Sequence, residues 1–356
     1  MRLTASPLWD RIDHLGLRAV AIVGVSKHAG KTTVLSRLIE DASLLGRPLG
    51  VVSVGIDGER ADSVLGTPKP RIHVPAGTFF ASALGAFGTG YAPVRWLEPL
   101  GIPSVLGEVW IGQAIEEGDI VLAGIRQLDH LLRFKEQLAQ RAHAHLLVDG
   151  ALARMVAIHP DVADGVILAT GAVLGSLPAV EQGTRQALLR LTTPVWQPPA
   201  EVANRLAQDA AQSGVWVGQL SAAAAEVIDW DRVDICDLRY LGDAHAFAGD
   251  WRTLGAGDER LYIAQGAVTD AVVSALTKRE QSVLLVARDP SCLFISAEVW
   301  KGFARRGHAL RVLRAPVLVG VAVNPTAPRG PGLDRTLLRT RIAALTDVPV
   351  WDVMDA

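Results

Sequence analysis

The chain has 356 residues, 49% hydrophobic and 20% charged, an ordinary globular composition with material for two domains at roughly 100–200 residues each. Its formal net charge is −2, so no overall basic field exists to gather phosphate backbones or anionic lipid, and neither nucleic acid nor a membrane surface is expected as a partner. The only cysteines, Cys236 and Cys292, form no CxxC pair, which argues against a disulfide framework or a structural zinc site and fits a reducing cytoplasm.

The N-terminal residues show no basic stretch followed by an apolar run, so no leader is expected. From Arg18 to Val25 the apolar run AVAIVGV predicts a strand. From Lys31 the apolar spacing changes to Val34, Leu35, Leu38, Ile39 and Ala42, which is helical period. A second strand is predicted from Leu49 to Gly55, after Gly46 and Pro48, completing the strand, helix, strand order of a parallel α/β sheet. Ser104 to Ala114 and Ile120 to Ala123 read as two strands joined by the polar turn Glu116-Glu117-Gly118-Asp119, a hairpin at a sheet edge. A helix from Gln127 to Ala142 leads into a strand from His145 that ends at Asp149-Gly150, and another strand from Gly165 stops at Thr170-Gly171.

Pro194, Pro198 and Pro199 interrupt the pattern and predict a domain boundary near residue 200. The expected organisation is a nucleotide-binding α/β domain over 1–200 and a smaller second α/β domain over 201–356. In the second, Arg260 to Ala264, Ser282 to Ala287 and Ala315 to Val323 are predicted strands; Thr269 to Thr277, Glu298 to Arg306 and Asp334 to Leu345 are predicted helices. The run Ala315 to Val323 contains Pro316 and Gly320 and is far shorter than the ~20 residues a membrane helix needs. The alanine tract Ala222 to Ala225 reads as helix.

The strongest chemical signal is Gly24-Val25-Ser26-Lys27-His28-Ala29-Gly30-Lys31-Thr32-Thr33, set between a predicted strand and an amphipathic helix. Such a loop turns successive backbone N–H groups toward phosphate, and the following helix places roughly +0.5 of an elementary charge at its N-terminus. In that role Lys31 bridges the β- and γ-phosphates and Thr32 holds Mg²⁺ through its hydroxyl. The plain structural alternative is a helix start that uses Gly and Thr only as caps; the flanking strand and helix favour the phosphate loop. Against GxxxxGK[ST] the first glycine is displaced by one, since Val25 stands where glycine is expected. Lys27 is either a second phosphate-facing cation or a solvated turn lysine, and His28 reads as solvated.

A triphosphate site also needs a carboxylate on the metal, and two stand at strand ends: Asp57 in GIDGE and Asp149 in LVDGA. Each has the simpler reading of an acidic turn residue beside glycine. Glu59 reads as an exposed loop carboxylate. No NKxD sequence marks the base, so ATP is favoured over GTP, and Asn324-Pro325 at a strand end is either a base or partner contact or a turn starter. The nine tryptophans are spread without basic interleaving, which does not suit a stacking platform for single-stranded nucleic acid.

The loop, Gly followed by five residues and then Gly-Lys-Thr, resembles that of dethiobiotin synthetase and the cobyric-acid synthase group, in which an acidic residue followed by Gly-Ala ends the corresponding strand. Further stretches, SVGIDGE running on to GTPKPRI, then DGA, ILATGAVL, VNPTAP and VPVWDV, resemble the P-loop subunit of the lysine 5,6-aminomutase reactivase, over most of the chain and least over about 175–260. That resemblance implies an ATPase acting with a MutS-related partner subunit to restore an adenosylcobalamin-dependent lysine 5,6-aminomutase by releasing damaged cobalamin. It also implies a switch segment, for which Gly55 to Arg71 is the candidate. The competing expectation, from the dethiobiotin synthetase-like loop, is a ligase that phosphorylates a small carboxylate. In either case the cofactors are ATP and Mg²⁺.

Overall fold

The computed structural model describes residues 7–55, 71–208, 214–220, 230, 235–243, 258–328 and 330–353. The elements in chain order begin with α1 (Pro7–His14), β1 (Ala19–Gly24), α2 (Lys31–Leu44), β2 (Leu49–Ser53), β3 (Ile72–Val74), β4 (Phe79–Ala83), β5 (Val94–Ile102), β6 (Val109–Ala114) and β7 (Gly118–Ile120). Then come α3 (Leu128–Arg141), β8 (His145–Ala151), β9 (Gly165–Gly171), α4 (Leu177–Leu191), α5 (Ala200–Gln208), β10 (Gly214–Leu220), β11 (Ile235–Asp243) and β12 (Leu261–Ala264). The chain closes with β13 (Val268–Thr269), α6 (Asp270–Leu276), β14 (Leu284–Ala287), β15 (Leu293–Phe294), α7 (Ala297–Arg305), β16 (Ala309–Val312), β17 (Val317–Asn324), α8 (Arg335–Ala343) and β18 (Val350–Asp352). No helix among the described residues is long and apolar enough to cross a membrane.

The protein is mixed α/β, with a large and mainly parallel sheet. Nine strands run in the order β18-β17-β9-β1-β8-β2-β4-β6-β5. Every pairing from β18 to β4 is parallel, and only β4 with β6 and β6 with β5 are antiparallel. The central strand β1 is buried at all six positions, as expected where a parallel strand is covered on both faces. On one face Val20, Ile22, Leu147, Val51 and Ile167 pack with Val34, Leu35 and Leu38 of α2 and with Leu8, Trp9 and Ile12 of α1. Trp9 is fully buried, donates its indole N–H to the Leu38 carbonyl at 2.8 Å and meets the His145 ring edge-on.

The chain divides into two compact units, one made of Met1–Ala187 with Pro316–Ala356 and the other of Leu188–Ala315. This corrects the expected 201–356 boundary: β17 and β18 belong to the nine-stranded sheet, where β17 lies against β9 and extends from Val317↔Gly165 to Asn324↔Gly171. Apolar runs declare that a strand is buried, but not which sheet buries it. The second unit has its own five-stranded sheet in the order β11-β10-β12-β14-β16. Its two faces are covered separately, one by α6 and α7 through Val272, Val273 and Phe303, the other by Trp196 and by α5 through Val202 and Leu206.

The predicted hairpin is also corrected. The strand ending at Ala114 pairs with β4 and β5, while residues 118–120 form β7 and pair antiparallel with β3 in a separate two-stranded sheet. Cross-strand charge accompanies that pairing. His73 on β3 meets Asp119 through Nδ1 and Glu117 through Nε2, both at 3.0 Å. Hydrogen bonds donated to the carboxylates of Glu117 first and then Asp119 raise the imidazole pKa above its ordinary value. A raised folded-state pKa means stability that is fully present below about 6.5, the ordinary histidine value, and is lost as pH rises through the folded value. The side chain is 58% exposed, so the increment is small. A His73→Gln variant is expected to show a flatter dependence of Tm on pH between ~5.5 and ~8 than the parent. Superimposable profiles would contradict the pairing.

Candidate functional site

The glycine-rich loop leaves the C-terminal end of β1 and enters α2 directly, at the carboxyl edge of the sheet where open α/β proteins bind ligands. The turn uses positive φ twice. Gly30 is the N-cap of α2 at φ 101°, and His28 lies at φ 60°, a region that side chains other than glycine seldom adopt. Alternation of this kind turns neighbouring backbone N–H groups to one side, the geometry of an anion nest. His28, read as solvated, is half-buried, so its place is set by the turn rather than by solvent.

Lys31 is the first residue of α2 and folds back over the loop. Its Nζ donates to the Ser26 carbonyl at 3.1 Å. A Cβ on Gly24 would lie 2.9 Å from Lys31 Cγ and 3.1 Å from Nζ, so Gly24 is the floor on which the lysine rests. The displaced glycine is thereby explained: the missing side chain is needed under the lysine stem, and Val25 is half-buried with its N–H bonded to the Ala169 carbonyl at 3.0 Å. Lys27 and Thr33 are exposed, Ser26 and Thr32 half-buried, and Ala29 buried.

The N-terminus of α2 differs from those of α3, α6, α7 and α8. No side chain caps it and its first turn holds no acidic residue. α7 and α8 are capped by Ser296 and Asp334; α3 and α6, which also lack a side-chain cap, carry Asp129 and Asp270 in the first turn. The positive pole of α2 is thus left to an anion from outside the helix.

Asp149 stands on β8 beside β1, in register with Ile22 on one side and with Ser53 of β2 on the other. Side chains alternate along a strand, so Asp149 shares with Leu147 the face on which α2 packs, at the end nearest Thr32. It is half-buried and accepts a hydrogen bond from Ser53 Oγ at 3.1 Å. Ser53 is the residue that sequence reasoning missed as a site member. The only signal for it is its place at the end of a predicted strand, because the bond joins residues 96 positions apart.

The other carboxylates of the sequence reading, Asp57 and Glu59, lie outside the described residues, as do residues 56–70 of the candidate switch and the alanine tract. Among the described residues no group of three or more His, Cys, Asp or Glu is placed to hold a metal. A hydroxyl and one carboxylate, completed by phosphate oxygens and water, is the donor set that suits Mg²⁺ at such a loop, and Thr32 with Asp149 fits that set. Asn324, at the end of β17, is brought to the same place. A Cβ on Gly30 would sit 3.0 Å from its Cβ, while its Oδ1 accepts from Thr326 N at 3.0 Å and Thr326 Oγ1 at 2.7 Å. It is therefore both a turn starter and a neighbour of the loop.

In the second unit, Cys292 is a buried free thiol whose pKa is raised by burial, which makes it unreactive packing rather than a nucleophile.

No family model matches the chain, and no curated protein matches it. Among solved structures, pNOB8 ParA bound to nonspecific DNA is similar over 54% of this chain and 75% of that chain, at 13% identity and a TM-score of 0.26. A likeness that distant carries no argument, and the reading of the site rests on its own geometry.

Proposed function

We propose that the protein binds ATP with Mg²⁺ at residues 24–33 and hydrolyses it as the energy-transducing subunit of a larger enzyme complex. The observation that carries the reading is the uncapped N-terminus of α2 at the end of the central strand, with Lys31 folded over the loop and Asp149 in register beside it. When bound, Mg·ATP supplies a transferable phosphoryl group whose chemistry depends on positioning and charge stabilisation. The chain's part is to hold it: loop N–H groups and the α2 dipole take the phosphates, Lys31 neutralises their outer oxygens, and Thr32 offers a hydroxyl to the metal. Asp149, oriented by Ser53, would hold the metal, directly or through its water.

The complex is inferred from the resemblance alone. Its partners would be a MutS-related reactivase subunit and a lysine 5,6-aminomutase, with nucleotide turnover coupled to release of damaged cobalamin. The test is steady-state ATP hydrolysis by the full chain with Mg²⁺, alone and with those two proteins. A rate that rises with both supports the reactivase role; a rate indifferent to them but dependent on an added small carboxylic acid assigns the site to a ligase. In the same assay Asp149→Asn is expected to raise the Mg²⁺ concentration for half-maximal rate by about tenfold, the order expected for losing one charged ligand hydrogen bond. An unchanged Mg²⁺ dependence would remove Asp149 from the metal.

A further inference from the structure

A second cation reaches the carboxyl edge of the nine-stranded sheet from outside the glycine loop. Residues 121–125 are all buried, and they cross the ends of β4 and β2 without forming a strand. Three hydrogen bonds tie them there. Ala123 N donates to the buried Ser82 Oγ at 3.2 Å, Ala83 N donates to the Ala123 carbonyl at 3.0 Å, and Gly55 N donates to the Ile125 carbonyl at 3.0 Å. The turn within this arm is fixed by Gly124, which lies at φ 101° and has no room for a side chain: a Cβ would come 2.4 Å from Val109 Cγ2.

Arg126 is the first exposed residue after this buried arm. Its backbone neighbour Ile125 is bonded to Gly55, and the adjacent Val54 N donates to the Asp149 carbonyl at 2.8 Å. Arg126 therefore follows Asp149 by about two strand spacings, roughly 10 Å, on the side away from β1. An extended arginine with one N–H···O bond spans most of that distance. Lys31 thus stands on the β1 side of Asp149, and the backbone that carries Arg126 on the β4 side.

We propose that Arg126 binds the γ-phosphate of the nucleotide, so that the site distinguishes a triphosphate from a diphosphate. The assignment rests on the nucleotide reading above, and it names the residue through which that site senses the outer phosphate. A guanidinium suits the task because it stays charged and offers a planar fork to phosphate oxygens.

The test measures affinities of the full chain for a non-hydrolysable ATP analogue and for ADP, each with Mg²⁺. In Arg126→Ala the analogue is expected to bind about 10- to 100-fold more weakly, the range for losing charged hydrogen bonds, with ADP affinity unchanged. Arg126→Lys, which keeps the charge without the fork, is expected to recover part of the loss. Arg126→Gln is a second neutral variant should the alanine protein fold poorly. Lys31→Ala separates the two readings: loss of both ligands there, with no selective change in either neutral Arg126 variant, overturns the Arg126 assignment alone. A parent protein that binds neither nucleotide overturns both.

Discussion

Lys31→Ala is expected to weaken Mg·ATP binding by about 100-fold or more, since two charge-assisted bonds to phosphate are lost together at roughly 1.5–3 kcal/mol each. The fold should be little affected. Lys31 is half-buried at the start of α2 and makes a 3.1 Å bond to the Ser26 carbonyl, and the α2 residues that pack on the sheet are Val34, Leu35, Leu38, Ile39 and Ala42. The lysine stem lies close over Gly24 and its ammonium bonds the Ser26 carbonyl, and Lys31 is not among the α2 residues packed in the core. Calorimetric titration alongside thermal melting separates the two effects. A variant with parental affinity would mean that the loop is a helix start and nothing more. A variant that loses affinity only because its Tm collapses would mean that Lys31 serves the fold.

Gly171→Ala is expected to be the most damaging small substitution near the site. Gly171 pairs with Asn324 across β9 and β17, and an added Cβ would lie 2.2 Å from the Asn324 carbonyl oxygen and 2.9 Å from its carbonyl carbon. Neither atom is the end of a flexible side chain, so relief requires the strands to separate. Overpacking of this kind costs about 1–3 kcal/mol or more, which for a unit of this size lowers Tm by roughly 2–12 °C. The damage should also reach the loop. β9 holds it through Val25 N to the Ala169 carbonyl, and β17 carries Asn324 against Gly30, so nucleotide affinity is expected to fall with stability. Gly302→Ala in α7, where a Cβ meets nothing within 4 Å, is the matched control and is expected to be neutral or stabilising by about 0.5–1 kcal/mol. Equal melting of the two variants would contradict the packing argument.

The core of the site was legible because its signals are local. AVAIVG is a buried strand by composition, the α2 spacing is helical, and Gly24 and Gly30 lie between the strand and Lys31. Asp149 was legible for the same reason, as the first charged residue after four buried ones. What escaped depends on contacts distant in sequence. β5, VRWLEPLGI, includes Arg95, Glu98, Pro99 and Gly101 and is mostly half-buried or exposed, as the edge of a sheet permits; its composition therefore reads as loop. The return of residues 316–356 to the first sheet is a matter of register against β9, which no periodicity encodes. Ser53 meets Asp149, and the arm before the proposed Arg126 reaches the end of β2, only through hydrogen bonds between segments distant in sequence.

The most direct measurement is a calorimetric titration of the purified full chain with ATP, in the presence and absence of Mg²⁺. The account predicts one nucleotide bound per chain, more tightly with the metal than without it. An absence of binding at millimolar ATP with Mg²⁺ would contradict it and return the glycine loop to the role of a helix start.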